Sequence, residues 1–521
     1  MIIVGHGHEF KTIIRVVIMK SRFKNSICAL VLLAALFFSQ SSEAQIYVFT
    51  TLHSFAAETT NNSAVWTNSD GAYPLGGLIL SGNTLYGTAS YGGTNGDGTL
   101  FKINTAGICF TVLHSFTNDN AGGPFGELTL SDDTLYGVLF GGGSRIGTVF
   151  AVNTNGTSFT ILHDFAAATT NSNFIYTNND GNKLNGGLIL AGKSLYGTAI
   201  GGGIAGNGTL FEVNTDGTDF AVQHGFTALD DYYQTNSDGA GPSELILSGD
   251  TLYGVTEWGG NSEYGTIFQV NTNDDGFTVL HNFGSDPEDG VFASGKLILS
   301  NDALYGTTEG GGDYGGGNGT VFAIGTNGTS YKILHRFAPA DVDENGNWTN
   351  SDGSDPNGGL VLSGDKLYGT TAVGGESGCG TVFVVSTNGN HFEVLHTFST
   401  TDPNTYANSD GAGPEAGMTL WNSILYGTTS YGGSAGNGTV FSISLLPPLP
   451  TISLPSYSAS GQFQMVVNGS VNQNYTVQMS TNLTSADWTP LLVTNCPSDS
   501  FLFCDPNATN QQRFYRVLLG P

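Results

Sequence analysis

Positive charge is scarce in this chain: 15 Lys and Arg stand against 43 Asp and Glu in 521 residues, a formal net charge of −28. Such a surface repels phosphate backbones and anionic lipid, which excludes nucleic acid as a partner, and it attracts cations. Cysteine is scarce too, at five residues, and its spacing fits no zinc pattern. Cys109 and Cys379 are far apart in sequence and are expected to be free. Cys496 and Cys504 lie close enough to close a hairpin-sized disulfide in an oxidising compartment. There is no Gly-X-Y period, which excludes collagen despite 76 Gly. Long apolar runs are missing except at 27–38, which is too short for a comfortable membrane span. That run follows Lys20, Arg22 and Lys24 and precedes Ser42-Glu43-Ala44. It reads as an export signal cleaved before Gln45, with Met19 a tidier start than Met1. The expectation is a leader over 1–44 and a secreted, extracellular or periplasmic chain, monomeric and without a transmembrane span.

What is abundant is the vocabulary of short strands and tight turns: Thr, Val, Ile, Phe and Tyr beside Gly, Asn, Asp and Ser. With 32 Phe and 21 Tyr the chain has enough apolar bulk for a core, so it is no disordered acidic tail. One unit recurs seven times. Leu-Tyr-Gly stands at 85, 135, 195, 252, 304, 367 and 425, each followed by a Gly-rich stretch and Gly-Thr-(Leu/Val/Ile)-Phe. A third motif, His-x-Phe, also occurs seven times, at His53, His114, His163, His224, His281, His335 and His396. It is out of phase, because its first copy precedes the first Leu-Tyr-Gly and none follows the last Gly-Thr-Val-Phe.

Each unit reads as four short strands, in the first unit 77–80, 84–89, 99–104 and 110–116, joined by turns rich in Gly and Asn. Seven such units predict an all-β, seven-bladed β-propeller over 45–446. A solenoid is the structural competitor. The phase shift favours a ring in which the N-terminal strand, 46–55, supplies the missing fourth strand of the seventh blade and removes two open edges. A Pro-rich linker is expected at 447–455, and five further strands over 456–521 predict a small C-terminal β-sandwich.

The composite unit is Leu-His-x-Phe, then Asp-Gly, then Pro-x-Gly-Gly-Leu-x-Leu-x-Gly-x-x-Leu-Tyr-Gly-Thr, then Gly-x-Gly-Thr-Val-Phe. It resembles the GloVer tandem repeat of secreted bacterial proteins over about residues 46–444. The second unit departs from it, with Asn120-Ala121-Gly122-Gly123-Pro124 and no Asp-Gly, and the fourth has Gln223-His224 for Leu-His. The resemblance implies export, a repeat fold and no catalytic reaction. The tail, with Tyr475-Thr-Val-Gln-Met-Ser and Arg513-Phe-Tyr-Arg-Val, resembles a C-terminal module of verrucomicrobial-type secreted proteins. That module is loosely similar to a fibronectin type III domain and is a sorting tag, a binding module or a spacer.

A histidine replicated in every unit is a structural residue, since a catalytic site is unique. Its expected role is to satisfy a buried partner. No Gly-x-Ser-x-Gly elbow and no phosphate loop with its Lys is present. One loop has calcium-loop spacing: Asp341, Asp343 and Asn345 at positions 1, 3 and 5, Gly346 at the bend, Asn347 after it and Asp352 at position 12. The expected cofactor is calcium, with a merely polar loop as the alternative. The long loops between units carry Trp66, Tyr176, Tyr232, Tyr233, Trp348 and Tyr406. Each aromatic either plugs its own loop or faces a ligand, and aromatics beside Asn and Asp suit a glycan. Trp66, Tyr232 and Trp348 are the candidate ligand contacts. Two readings follow. The first is a secreted non-enzymatic propeller that binds an extracellular glycan or protein ligand, or serves as a surface scaffold. The alternative is a propeller-fold carbohydrate-active hydrolase or lyase built on paired carboxylates.

Overall fold

A computed structural model describes residues 17–19 and 47–445, without 62–63, 118–121, 142–145, 171–174, 231, 274, 287, 313–316 and 345. In the C-terminal region it describes 451–457, 462–469, 474–481, 488–496, 500–505 and 513–519. These residues contain strands and turns and no α-helix. The chain divides into two compact units, one of residues 49–443 and one of 1–48 with 444–521.

In the first repeat Ile79–Ser81, Thr84–Ala89, Thr99–Asn104 and Thr111–Ser115 make a four-stranded antiparallel sheet in chain order. The same order recurs through the following repeats up to Val361–Ser363, Lys366–Thr371, Thr381–Ser386 and Phe392–Thr397. The last repeat supplies Thr419–Trp421, Ile424–Thr429 and Thr439–Ser444, and the strand hydrogen-bonded beside Thr439–Ser444 is Val48–Ser54. The fold is all-β and propeller-like, with its core between successive sheets. One core cluster joins Tyr86, Leu100 and Phe116 to Leu135 and Phe150. Another joins Phe55, Leu85 and Phe101 to Tyr426 and Val440.

The motifs are explained by contacts within a sheet. In Leu-Tyr-Gly the Gly pairs directly with the Phe of Gly-Thr-x-Phe, as Gly87 does with Phe101. A Cβ there would lie 2.7 Å from the Phe101 ring and 2.7 Å from Leu78 Cδ2, so no larger residue fits. The hairpin before Leu-Tyr-Gly needs a left-handed residue. Gly82 provides it at φ +57°, and Asp132, Asn301 and Asn422 take its place elsewhere at φ +50°, +54° and +50°. The first strand of the first unit is shorter and later than expected, at 79–81 against 77–80, whereas in the second and fourth units it is long, Pro124–Ser131 and Ala240–Ser248. In the first unit Gly76 and Gly77 stay outside the ladder, where they pack against the backbone of neighbouring repeats.

The C-terminal unit holds two sheets, one of Val17–Met19, Arg513–Leu519, Asn474–Ser480 and Thr489–Asn495, the other of Thr451–Tyr457, Phe463–Asn468 and Ser500–Asp505. They enclose Phe463, Met465, Tyr475, Cys496, Phe503 and Tyr515. All five expected strands are present. A sixth, Thr451–Tyr457, occupies part of the expected linker. It is an edge strand whose register shifts between Ser453 and Ser456, which accommodates Pro455. Of that linker, Pro447, Pro448 and Pro450 lie outside the described residues. Three residues of the expected leader, Val17–Met19, pair with 513–515. No disulfide joins Cys496 to Cys504.

Candidate functional site

The repeated histidine is a packing residue. Six of the seven meet the Asp of the following Asp-Gly: His53–Asp70 at 2.9 Å, His163–Asp180 at 3.3 Å, and His224–Asp238, His281–Asp289, His335–Asp352 and His396–Asp410 at 3.0 Å. Burial opposes ionisation of Asp238 and Asp410, but the hydrogen bonds from His224 with Thr227 and from His396 with Ser399 outweigh it. Both carboxyls are held below the usual range. The Thr of Gly-Thr-x-Phe holds the same turn, as Thr99 Oγ1 donates to the Asp70 carbonyl at 2.9 Å. Each imidazole also stacks on an aromatic ring of the next sheet, from His53 on Phe110 at 3.7 Å to His396 on Phe49 at 3.9 Å. His114 belongs to the repeat without Asp-Gly. Among the described residues its Nε2 has no partner, and burial pushes its pKa down.

Of the expected calcium ligands, Asp341, Asp343 and Asp352 do not converge in a metal-sized group. Asp341–Val342 and Trp348–Thr349 form a two-stranded ribbon. Asp343 closes its turn, accepting from the Asn347 amide at 2.8 Å and from Asn347 Nδ2 at 3.0 Å. Asp352 is buried and faces His335 and the Ala338 amide. Asn345 lies outside the described residues. Among the described residues no three His, Cys, Asp or Glu side chains form a metal-sized group.

The loop aromatics do not plug their loops. Trp66 is 61% exposed, Tyr232 82% and Trp348 59%, and Tyr176, Tyr233 and Tyr406 are exposed as well. The structure does not bring Trp66, Tyr232 and Trp348 together. Tyr232 stands edge-on to Tyr233 above an Asp230 turn, and Trp348 stays on its ribbon. Trp66 lies in a groove of about 840 Å³ between the first and last repeats, with Tyr73, Tyr91, Tyr431, Glu58 and Asn437. Tyr73 is the hub, edge-on to Tyr91 at 5.6 Å and to Tyr431 at 5.4 Å. The Tyr73 amide donates to the Asn437 carbonyl at 3.0 Å, which pins the hub across the two repeats. Burial raises the Glu58 carboxyl and the Tyr73 hydroxyl, and Glu58 adds to the latter. A second groove of about 930 Å³ uses equivalent positions of the third to fifth repeats, with Tyr176, Lys183, Trp258, Tyr264 and Phe292. The sequence signal for these residues is the position before the paired Gly that follows Leu-Tyr-Gly. It is Tyr91, Trp258 and Tyr431 in three repeats, and Gly or Val in the others.

A third cavity, of about 350 Å³, lies where the leading glycines of the inner strands approach one another. A Cβ on Gly77 would sit 3.2 Å from the Gly417 carbonyl oxygen and 3.6 Å from Glu127 Cγ. The equivalent positions, directly before the Leu or Met at the first strand, hold Gly77, Glu127, Gly187, Glu244, Lys296, Gly359 and Gly417. Lys296 Nζ reaches Glu127 Oε2 at 2.6 Å, which joins the fifth repeat to the second.

The model of the Gloeobacter/Verrucomicrobia repeat matches three successive stretches, 36–178, 166–347 and 342–483. The chain belongs to this repeat family. The repeat therefore covers the whole sheet region and reaches into the C-terminal unit as far as Asn474–Ser480. No curated protein matches the chain. Among solved structures, an oligogalacturonate lyase in complex with manganese aligns with TM-score 0.46 at 10% identity, over 77% of this chain and 96% of that one. The β-propeller domain of the Trilobed protease from Pyrococcus furiosus, described as having an open velcro topology, aligns with TM-score 0.39 at 11% identity, over 72% and 95%. YCF48 from Cyanidioschyzon merolae aligns with TM-score 0.38 at 9% identity, over 75% and 99%. At these values the likeness carries no argument, and the fold of this Gloeobacter/Verrucomicrobia repeat protein rests on its sheets and registers. Among the described residues no helix is long and apolar enough to cross a membrane.

Proposed function

We propose that this chain is an exported, non-enzymatic, closed seven-bladed β-propeller that binds an extracellular glycan through its aromatic grooves. Closure is supported by the His–aromatic stacks, which link each sheet to the next and include His53 on Phe110 and His396 on Phe49. The core cluster that joins the first and last repeats supports it too. Val48–Ser54 is the closing strand, and the C-terminal sandwich is the sorting or attachment module.

The observation that carries the function is the groove of Trp66, Tyr73, Tyr91 and Tyr431. Tyr91 is 55% exposed, although it is large enough to bury. Exposed aromatic faces beside hydrogen-bonding groups such as Asn437 stack on pyranose rings, and a rigid scaffold presents them without an ordering cost. Pull-down on neutral and acidic polysaccharides tests this: the wild type is retained and a Trp66→Ala, Tyr91→Ala variant is not.

The hydrolase or lyase reading has its own observation. Glu127 and Glu244 break the repeat symmetry of the inner cavity, and burial pushes the Glu244 carboxyl up to about 7, where an acid catalyst works. Release of reducing or unsaturated ends from a bound polysaccharide, abolished by Glu244→Gln, would carry that reading.

A further inference from the structure

The inner cavity has an uneven charge balance. Glycine fills four of the seven equivalent positions, which opens room opposite the three charged side chains. Lys296 is paired with Glu127 at 2.6 Å. Glu244 lines the same cavity, and among the described lining residues Lys296 is its one positive side chain, shared with Glu127. The side chains of Lys296 and Glu127 are about one-third exposed, so the cavity is open to solutes although protein surrounds it.

We propose that this cavity binds a small primary amine, whose ammonium sits on the Glu244 carboxylate. Two carboxyls share one lysine ammonium here, so once Glu244 is ionised the excess negative charge calls for one positive charge. The Lys296 ammonium beside it repels a divalent metal ion more strongly than a monovalent cation. An ammonium also brings three N–H donors to the carboxylate and the backbone of the glycine-lined wall. About 350 Å³ accommodates an amine no larger than a single amino sugar.

Burial pushes the Glu244 carboxyl up to about 7; Lys296 opposes the shift and Glu127 adds to it. Near neutral pH an alkylamine is present as the ammonium, the protonated fraction of Glu244 gives up its proton to the buffer, and the carboxylate–ammonium pair forms. This site is separate from the tyrosine groove and stands or falls independently of glycan binding.

Calorimetric titration of the full-length protein at pH 7 with methylammonium and with glucosamine tests the proposal. Glucose and calcium chloride serve as controls, and two buffers of different ionisation heat report the proton. The expected result is saturable binding of both amines, no binding of glucose or calcium, and net proton release when methylammonium binds. Glu244→Gln should weaken binding at least about tenfold and abolish proton release while leaving the melting temperature no lower. No amine binding, equal binding by Glu244→Gln, or preference for glucose or calcium would each overturn it. Selectivity for amines over glucose and calcium is read on the wild type, so the proposal stays testable if the variant fails to fold.

Discussion

The Asp352 carboxylate accepts one hydrogen bond from His335 Nε2 and another from the Ala338 amide, both at 3.0 Å. Asp70 makes the same contacts with His53 and the Ala56 amide. The residue that completes the calcium-loop spacing is thus part of the hinge that every complete repeat builds. Asp352→Ala should cost about 1–3 kcal/mol, the range for leaving buried polar groups unpaired. Asp343→Ala, on the ribbon turn, should cost less than about 1 kcal/mol. Chelator should leave thermal melting of the wild type unchanged. A chelator-sensitive melt that Asp343→Ala removes would restore the calcium loop.

His114 gives a pH dependence of known sign. Burial lowers its folded pKa, so the unfolded chain binds the proton more readily. Its contribution to stability is therefore intact above about pH 6.5 and is lost as pH falls below it. His114→Phe keeps the stack on Phe159 and removes the titration. The melting temperature of this variant should fall less than that of the wild type between pH 7 and pH 5. Parallel curves would show that His114 finds a proton acceptor.

The Gly of Leu-Tyr-Gly is set by its Phe partner. A Cβ on Gly369 would lie 2.4 Å from the Phe383 ring and 2.8 Å from Leu360 Cδ2. Overpacking of this kind costs about 1–3 kcal/mol. Denaturant unfolding of Gly369→Ala should show that loss, with no change in the slope that reports exposed surface.

In the proposed ring the N-terminal strand, which pairs beside Thr439–Ser444, is a stability element for the last sheet. Removing 45–55 takes away Phe49, on which His396 stacks, and Phe55, which is fully buried. The truncated protein should melt well below the intact one, and amide exchange should speed up first along Thr439–Ser444. Unchanged melting would leave the ring without its seam.

The strands were readable because the units repeat the same steric solution: a Gly under a Phe and a left-handed hairpin residue in every unit, and an Asp-Gly turn in all but the second. The histidine's structural role was readable for the same reason, and its partner is the Asp of the next motif. The second repeat, which lacks Asp-Gly, is the one whose His114 Nε2 has no described partner. The candidate sites were much less legible. Trp66 was visible as a loop aromatic and Tyr73 lies close to it in sequence, but Tyr431 joins them only because the first and last repeats are neighbours, a contact some 350 residues apart in sequence. Spacing pointed Asp352 toward calcium, whereas the fold commits it to His335. Glu127, Glu244 and Lys296 stood in an alternating strand pattern that says nothing of convergence. Only the meeting of inner strands makes them one group.

The central claim is that the first-and-last-repeat groove is a glycan site. It is tested most directly by titrating an oligosaccharide, taken from whichever polysaccharide retains the protein, into wild type, Trp66→Ala, Tyr91→Ala and His53→Ala. The account predicts at least about a tenfold loss of affinity for each groove variant at unchanged melting temperature, the usual cost of truncating an aromatic anchor. It predicts a lower melting temperature with unchanged affinity for His53→Ala. Equal affinity in wild type and both groove variants, or binding to none of the polysaccharides, would contradict it.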